Sequence, residues 1–166
     1  SIALVAQDGE PILGAVYDPV HDRMYEAVVG QGVTLNGEPL VATESGRDGP
    51  TTWYADRSLK KAPDFQKLQA EFDIQFVGGA VMNVLQLLTK SNGCYLKTPK
   101  KALGGCAIWD LAAVTLMLRE LGGRACFFDG RPLQLNRSET IFFNDVGLCF
   151  ASADLDVDAL RSRLID

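Results

Sequence analysis

Histidine is nearly absent from this sequence: His21 is the only one among 166 residues. Any nucleophilic site that pairs a serine or cysteine with a histidine base would have to use it. Asp18, Pro19 and Asp22 surround His21, and these residue types form turns. We therefore predict that His21 is a surface turn residue between two strands. The chemistry of the chain should depend on carboxylates and a metal ion instead.

The four cysteines are too dispersed to form a metal-binding pair, because no Cys-X-X-Cys spacing occurs. With a single histidine in the chain, this spacing argues against a zinc site. Cys126 and Cys149 lie in apolar segments typical of strands, where buried thiols are common. We interpret the cysteines as reduced and structural, which favours a cytoplasmic location.

Long apolar runs and an excess of positive charge are missing as well. No apolar stretch reaches the roughly 18 residues that a membrane span needs, and no signal peptide is recognisable. The chain is 47% hydrophobic and 22% charged, with a formal net charge of −5. This balance is ordinary for a globular protein and argues against a general nucleic-acid binder. We therefore expect neither a membrane nor a nucleic-acid polymer among its partners.

The first 42 residues are typical of antiparallel strands joined by tight turns. Turn-forming residues at 8–9, 18–19 and 30–32 separate four β-rich segments. The predicted strands span residues 2–6, 12–17, 24–29 and 33–35. A sheet of this size is not expected to be stable without cover, and we predict an exposed edge. A polar, glycine-rich linker at residues 43–50 then separates this part from the rest.

Strands and helices alternate after residue 50, a pattern that predicts a parallel or mixed sheet covered on both faces. Predicted strands lie at 51–55, 74–77, 94–96, 125–128 and 141–150, and predicted helices at 63–72, 81–88, 108–121 and 154–164. The helix at 81–88 is apolar almost all round and should be buried. The fold class is therefore α/β: an antiparallel meander at 1–42, then a mixed sheet covered by helices at 51–166.

One carboxylate stands out at the start of the most apolar helix. Asp110 is the only charged residue in the first turns of the helix that follows Gly104 and Gly105. A carboxylate in a first turn interacts favourably with the helix dipole, by about 0.3–1 kcal/mol. Asp110 can therefore cap the helix, bind a cation, or do both. The neighbouring Trp109 is predicted to be a core residue.

The segment around Asp110 resembles the second signature of the inositol monophosphatase superfamily, a group of magnesium-dependent phosphatases. The signature stands here as WDLAA at 109–113 and ELGG at 120–123, with Leu121 replacing the usual alanine. Segments at 1–4, 9–19, 35–37, 77–80 and 130–133 resemble further family elements in the same order. The resemblance covers nearly the whole chain. It implies the C-terminal part of a layered α+β fold like that of the sugar phosphatases.

The resemblance also implies an activity: a Mg²⁺-dependent phosphomonoesterase for a small phosphorylated polyol, sugar or nucleotide. Asp110 would be a catalytic metal ligand, since Mg²⁺ prefers carboxylate oxygens. A 3'(2'),5'-bisphosphate nucleotidase is the alternative within this family. Glu120, Asp129 and Asp145 are interpreted as structural carboxylates in turns or at helix ends.

Candidate substrate residues lie in three segments of the chain. The turn at Gly78, Gly79 and Ala80 connects a strand to a helix, so its backbone N–H groups could bind an anion; a tight connection is the alternative. An Arg57-Ser58 pair resembles one in bisphosphate nucleotidases, although Ser58 could instead cap the next segment. Lys97, with lysines at 100 and 101, could hold a second phosphate or belong to a solvated loop.

The family's first metal signature, Asp-Pro-Ile/Leu-Asp-Gly-Thr, is not found in this sequence. The segment DPVHD at 18–22 differs from it, because His21 stands in place of the second aspartate and no Gly-Thr follows. We therefore expect the chain to be the C-terminal part of such an enzyme, inactive alone. Its expected partner is a second copy or a complementing N-terminal segment. The alternative outside the enzymes is that the chain is one half of a protein and serves in binding or assembly without catalysis.

Overall fold

The computed structural model describes residues 1–5, 8–42 and 49–165. Within them it shows the mixed α/β architecture expected from the sequence, with an antiparallel sheet first and a mixed sheet second. The predicted position 6 and positions 43–48 of the predicted linker lie outside the described residues. The boundary between a 1–42 unit and a 51–166 unit stays a prediction. No helix in the described ranges is long and apolar enough to cross a membrane.

The first sheet, here called sheet A, is a five-stranded meander in which each strand pairs antiparallel with the next along the chain. Its strands are β1 (Ile2–Val5), β2 (Pro11–Asp18), β3 (Arg23–Val28), β4 (Val33–Leu35) and β5 (Glu38–Leu40). The four predicted segments correspond to β1–β4, and β5 was not predicted. It is joined to β4 by a tight turn at Asn36 and Gly37, both with positive φ.

The second sheet, sheet B, has the strand order β7-β6-β8-β10-β9. β6 pairs parallel with β7 and β8, whereas β10 pairs antiparallel with β8 and β9, so the sheet is mixed. Its strands are β6 (Thr52–Tyr54), β7 (Asp73–Gln75), β8 (Gly93–Lys97), β9 (Arg124–Phe127) and β10 (Leu148–Ala151).

The predicted strand at 141–150 was too long, because only Leu148–Ala151 forms β10. Gly147 interrupts the segment with a φ of +65°, and a Cβ there would lie 2.4 Å from the carbonyl oxygen of Lys97. Only glycine fits this backbone conformation and this close approach. Before Gly147, Phe142 forms an isolated bridge to Ala107, and Phe143 is buried in the core.

Four α-helices complete the part of the fold that the structure describes: α1 (Phe65–Glu71), α2 (Ala80–Leu87), α3 (Ile108–Glu120) and α4 (Val157–Ile165). All four were predicted, with ends that differ by at most three residues. The structure also contains a 3₁₀ helix at Arg57–Lys61, which was not predicted. α4 begins later than predicted because Asp156 accepts hydrogen bonds from the backbone N–H groups of Asp158 and Ala159, both at 3.0 Å.

α2 and α3 form the layer between the two sheets. One core cluster joins residues of sheet A, such as Val16 and Tyr25, to α2, α3 and the inner face of sheet B. The approach of α3 to β2 is very close: a Cβ added to Gly14 would lie 2.9 Å from the Cα of Ala113. The small residues after the Trp-Asp pair therefore have a packing role, since they let this backbone contact form.

The opposite face of sheet B is covered by α1 and α4. A second core cluster there contains Trp53, Phe72 and Leu160, together with Cys94, Cys126 and Cys149. All four cysteines are buried and unbridged, which confirms the burial predicted for Cys126 and Cys149. The outer face of sheet A, in contrast, has no cover among the described residues. Exposed apolar side chains occupy it: Ile2, Leu4, Leu13, Tyr17, Met24 and Val28.

Candidate functional site

Asp110 lies in the first turn of α3, where its carboxylate serves as a cap. Its Oδ2 atom accepts a hydrogen bond of 2.9 Å from the backbone N–H of Ala107. Backbone bonds to the segment after Thr140 hold the start of this helix in place, because Ile108 donates to the carbonyl of Ile141 at 3.0 Å. The other oxygen, Oδ1, accepts no hydrogen bond from a described residue and remains available to a ligand.

The Gly78–Gly79 turn connects β7 to α2 and is braced from below by a buried amide. Asn83, which is fully buried, donates from Nδ2 to the carbonyl of Gly78 at 3.0 Å and accepts from its N–H at 3.4 Å. Gly79 has a negative φ, and a Cβ there would meet nothing within 4 Å. Neither backbone strain nor packing requires glycine at 79, so this position offers open space for a ligand.

An ion pair lies opposite this turn. The Nζ atom of Lys97, at the end of β8, is 2.5 Å from Oδ2 of Asp56, and each side chain is 24% exposed. Burial acts to lower the pKa of Lys97, but the hydrogen bond to Asp56 and the nearby Cys106 outweigh it and leave this pKa raised. Lys97 therefore stays a cation at neutral pH. Asp56 also accepts a hydrogen bond of 3.2 Å from Asn83, which links the ion pair to the glycine turn.

Tyr95 and Cys106 close the bottom of the site as neutral groups. The Tyr95 hydroxyl is 3.2 Å from the Cys106 sulfur and 3.3 Å from Oδ1 of Asp56. Burial raises the pKa of Tyr95 and of Cys106, so neither ionises near neutral pH. The interior of the site therefore contains one compensated ion pair and two polar groups without charge.

Asp110, the glycine turn, the ion pair and Cys106 line one cleft of about 540 Å³, whereas Asn83 and Tyr95 lie behind this lining. Its lining residues come from five segments of the chain: Asp56, Arg57, Gly78, Gly79, Ala80, Lys97, Gly105, Cys106 and Asp110. Six of the seven residues singled out from the sequence lie in this lining. The seventh, Ser58, lines a neighbouring cavity that also contains Asp56 and Lys97. Ser58 makes no cap hydrogen bond at the 3₁₀ helix, where Asp56 occupies the cap position.

Several residues of the site were missed from the sequence. Asp56 immediately precedes the Arg57-Ser58 pair and follows a predicted strand of the parallel or mixed sheet. A carboxylate in that position could have been recognised as a site residue. Asn83 is one of two amides, with Gln86, in a largely apolar helix, which also indicated a buried partner. Tyr95 and Cys106 carried no local signal, because only the fold brings them to Asp56.

The prediction that Trp109 belongs to the core was wrong, since the side chain is 60% exposed. Trp109 lies in the first turn of α3, before the helix enters the layer between the sheets. Burial becomes continuous only from Leu111 to Leu118. The apolar residues after Trp109 suggested that it is buried too. It is exposed because the first turn of α3 extends beyond the packed layer between the sheets.

The other acidic residues and His21 have the structural roles that were predicted. Glu120 accepts hydrogen bonds from the N–H groups of Gly30 and Gly32, at 2.9 and 2.8 Å, and so ties α3 to the loop after β3. Asp129 pairs with Arg131 at 2.7 Å and Asp145 with Arg137 at 2.6 Å. His21 is an exposed turn residue whose Nδ1 lies 2.6 Å from the carboxylate of Asp18.

The donor set of the cleft would suit a hard divalent cation only in part. No group of three or more His, Cys, Asp or Glu side chains capable of holding a metal occurs in the described ranges. Asp110 contributes one carboxylate oxygen without a hydrogen-bond partner among the described residues. Mg²⁺ is commonly bound by one or two carboxylates together with waters and substrate phosphates. Asp110 is therefore suited to be one ligand of such an ion and cannot hold it alone.

Sequence comparison finds a match to a model of the inositol monophosphatase family over residues 1–154. The chain is 31% identical over 139 residues to the protein named Nus factor SuhB of Xylella fastidiosa, covering 78% of the chain and 48% of that protein. It is 26% identical over 165 residues to 3'(2'),5'-bisphosphate nucleotidase 1 of Rattus norvegicus, covering 95% of the chain and 52% of that protein. The chain thus spans about half the length of these curated relatives.

A comparison of folds agrees. A calcium-bound protein of the same family from Staphylococcus aureus superposes with a TM-score of 0.76 at 18% sequence identity. The match covers 98% of this chain and 59% of the other. At this identity the likeness shows the shared fold, including both sheets and the helical layer between them.

Proposed function

Because the chain belongs to the inositol monophosphatase family, we propose that it supplies part of the active site of a Mg²⁺-dependent phosphomonoesterase. The substrate class is a small phosphorylated polyol, sugar or nucleotide, with a 3'(2'),5'-bisphosphate as the narrower alternative. One observation carries the proposal. The unpartnered oxygen of Asp110 belongs to the same cleft as the open glycine turn and the Lys97 ammonium.

The metal ion would supply Lewis-acid activation of the phosphate and of an attacking water. Asp110 is the metal ligand that this chain contributes. Its second oxygen is engaged by the N–H of Ala107, so the carboxylate is held in one orientation before any ion binds. A ligand fixed on a rigid helix loses little freedom on binding.

The substrate is bound by the rest of the cleft. Gly79 and Ala80 lie at the N-terminus of α2. Their backbone N–H groups can bind a phosphate oxygen, which a helix N-terminus favours. Lys97 and the exposed Arg57 add positive charge on the other side. Ser58, in the adjoining cavity, can contact the part of the substrate that lies away from the reacting phosphate.

We further propose that the remaining metal ligands come from a complementing N-terminal segment and that the assembled enzyme is a cytoplasmic homodimer. The proposal of further ligands is supported by the two carboxylates of the cleft, because Asp56 is paired with Lys97 and leaves Asp110 for the ion, and by the half-length match to the curated relatives. The 166-residue chain alone should then be inactive.

The test is Asp110→Asn in a protein that contains both this chain and the upstream segment. We expect Mg²⁺-dependent phosphate release from inositol 1-phosphate and from 3'-phosphoadenosine 5'-phosphate to fall by orders of magnitude. The amide keeps the size of the side chain, so the thermal midpoint should change little. Asp129→Asn is the matched control, because this carboxylate pairs with Arg131 outside the cleft. Near-normal turnover in Asp110→Asn would refute the assignment.

A catalytically inert binding or assembly half is the second candidate. It is favoured by the lack of a multi-carboxylate cluster in the described ranges. The two candidates differ when the 166-residue chain is mixed with the upstream segment. Recovery of phosphatase activity supports the enzyme, and a stable but inactive complex supports the inert half.

A further inference from the structure

Two buried cysteines face each other across neighbouring strands of sheet B. Cys126 in β9 is the register partner of Cys149 in β10, and the two strands run antiparallel. Both side chains belong to the core cluster on the face of the sheet that α1 and α4 cover. Neither thiol lines the cleft that contains Asp110. The proposed function therefore leaves this pair of nucleophilic groups without a role.

The spacing of the two strands brings the thiols within reach of a disulfide. Residues directly opposite each other in an antiparallel pair have Cα atoms about 4.5–5.5 Å apart. Disulfides usually join residues whose Cα atoms are about 4.4–6.8 Å apart. The side chains of Cys126 and Cys149 are also hydrogen-bonded to each other. A bond between the two sulfur atoms therefore needs only a small adjustment of the strands.

The third cysteine of this cluster, Cys94, is less well placed for such a bond. Its register partner in β10 is Ala151, whereas Cys149 lies opposite Leu96. Cys94 and Cys149 are thus diagonal neighbours at about 7–8 Å, beyond the usual span of a disulfide. Nor does the described part of the chain contain three His, Cys, Asp or Glu side chains placed to hold a metal. The cluster therefore consists of one close pair and one separate thiol.

Cys126 is the more nucleophilic member of the pair. A hydrogen bond from the Cys149 thiol lowers the pKa of Cys126 against the effect of burial, and Arg124 and Arg161 act in the same direction. The same hydrogen bond, together with burial, raises the pKa of Cys149. Since thiolates and not thiols attack oxidants, Cys126 should react first and Cys149 second.

An oxidant reaches the pair when α4 opens locally. Val157 and Leu160 of this helix belong to the same cluster and help to exclude solvent from it. An ion pair between Arg163 and Glu71 ties α4 to α1, but partly exposed ion pairs contribute little to stability. A helix held in this way opens more often than the whole protein unfolds. A small oxidant such as hydrogen peroxide can then enter.

We propose that Cys126 and Cys149 form an oxidation site, at which a peroxide converts the two thiols into a cross-strand disulfide. The Cys126 thiolate attacks the peroxide: an S–O bond forms, the O–O bond breaks, and the hydroxide takes up the proton that Cys126 had released. The Cys149 sulfur then attacks the sulfenic acid: the S–S bond forms, the S–O bond breaks, and water leaves with the Cys149 proton. The thiols are oxidised to the disulfide while hydrogen peroxide is reduced to water.

This oxidation site is independent of the proposed phosphatase activity. Disulfides of reducing compartments are usually transient and redox-sensing. The bond would close the segment between β9 and β10 into a covalent loop. Backbone bonds from this segment hold the start of α3, because Phe143 donates to the carbonyl of Cys106 at 3.1 Å and Ile108 donates to that of Ile141 at 3.0 Å. Oxidation would therefore fix the support of the helix that carries Asp110.

The experiment treats the folded 166-residue chain with hydrogen peroxide, removes the excess with catalase, and alkylates the remaining thiols during unfolding. The four cysteines lie in four different tryptic peptides, because lysines or arginines separate them. Mass spectrometry should find the Cys126 peptide joined to the Cys149 peptide, with Cys94 and Cys106 alkylated. Dithiothreitol should restore all four thiols.

Two variants sharpen the assignment. Cys94→Ala is the matched control, because Cys94 is as buried as Cys149 and belongs to the same cluster. It should leave the disulfide unchanged. Cys149→Ala should stop the reaction at the sulfenic acid of Cys126, which dimedone traps. Circular dichroism checks that each chain is folded, and the peptide map of the unaltered chain decides the question even if a variant fails to fold.

Four results would overturn the inference. The first is complete alkylation of Cys126 and Cys149 after peroxide treatment that oxidises Cys106. The second is a disulfide that contains Cys94, and the third is one that joins two chains. The fourth is mixed pairing of all four cysteines, which would mean that the thiols react only after global unfolding.

Discussion

The two sheets of this protein are built from similarly apolar residues but are covered differently. In sheet B both faces are packed, and all residues of β10 from Leu148 to Ala151 are buried completely. In sheet A the described residues pack on one face, against α3, while Leu13 is 41% and Tyr17 is 50% exposed on the other. A one-faced antiparallel sheet normally has polar residues on its solvent side. The outer face of sheet A therefore has the composition of a covered face.

This difference in packing between the two sheets explains why the candidate site lies at sheet B. The residues of the cleft follow strands of sheet B or begin the helices between the sheets, where packing holds them on both sides. Sheet A contributes no residue to the described cleft, but it supports α3 through the contact of Gly14 with Ala113. Sheet B thus positions the chemistry, whereas sheet A positions the helix that carries Asp110.

The largest expected effect is on the doubly covered sheet. Phe150 in β10 is fully buried and packs against Tyr95, with ring centroids 6.2 Å apart. Phe150→Ala should lower the free energy of unfolding by about 3–5 kcal/mol, because it leaves a cavity that the sheet cannot close. Urea unfolding followed by circular dichroism measures this. A loss below about 1 kcal/mol would contradict the tight packing of sheet B around Phe150.

A smaller effect is expected where sheet A meets α3. Gly14→Ala places a methyl group against the backbone of Ala113 and should cost about 1–3 kcal/mol. Gly79→Ala is the matched control, because a Cβ there meets nothing within 4 Å and φ is negative. Its stability should change by less than about 0.5 kcal/mol. Thermal midpoints of both variants test the pair, and equal losses would contradict the close contact.

The smallest effect is expected on the outer face of sheet A. Leu13→Ser in the 166-residue chain should change the free energy of unfolding by less than about 1 kcal/mol, since the side chain is already partly in water. In a protein that also contains the upstream segment, the same change should cost about 2 kcal/mol if that segment covers the face.

Val20→Ser is the control for this comparison. Val20 is 82% exposed in the turn after β2, so its replacement should be neutral in both proteins. Chemical denaturation of the four variant proteins decides the question. Identical costs of Leu13→Ser in the short and the long protein would show that the outer face of sheet A stays open.

Local patterns predicted most elements well. Alternating apolar residues and turn formers located β1–β4, and the apolar period located the helices, because these signals depend on neighbours in the chain. Where the outcome depended on distant backbone, the predictions were less accurate. The predicted strand at 141–150 was shortened by the contact of Gly147 with Lys97, and Trp109 was exposed because α3 begins outside the packed layer.

The sequence by itself determined the fold class, the family and the candidate role of Asp110, because a lone carboxylate in an apolar helix and its flanking motif are local features. Only the tertiary structure decided that Asp56 pairs with Lys97, that Asn83 braces the glycine turn, and that two lysines converge on Gly105. These contacts join residues up to 41 positions apart in the case of the ion pair. Such contacts leave no periodic trace in the sequence, since they form only when separate strands of sheet B end at the same edge.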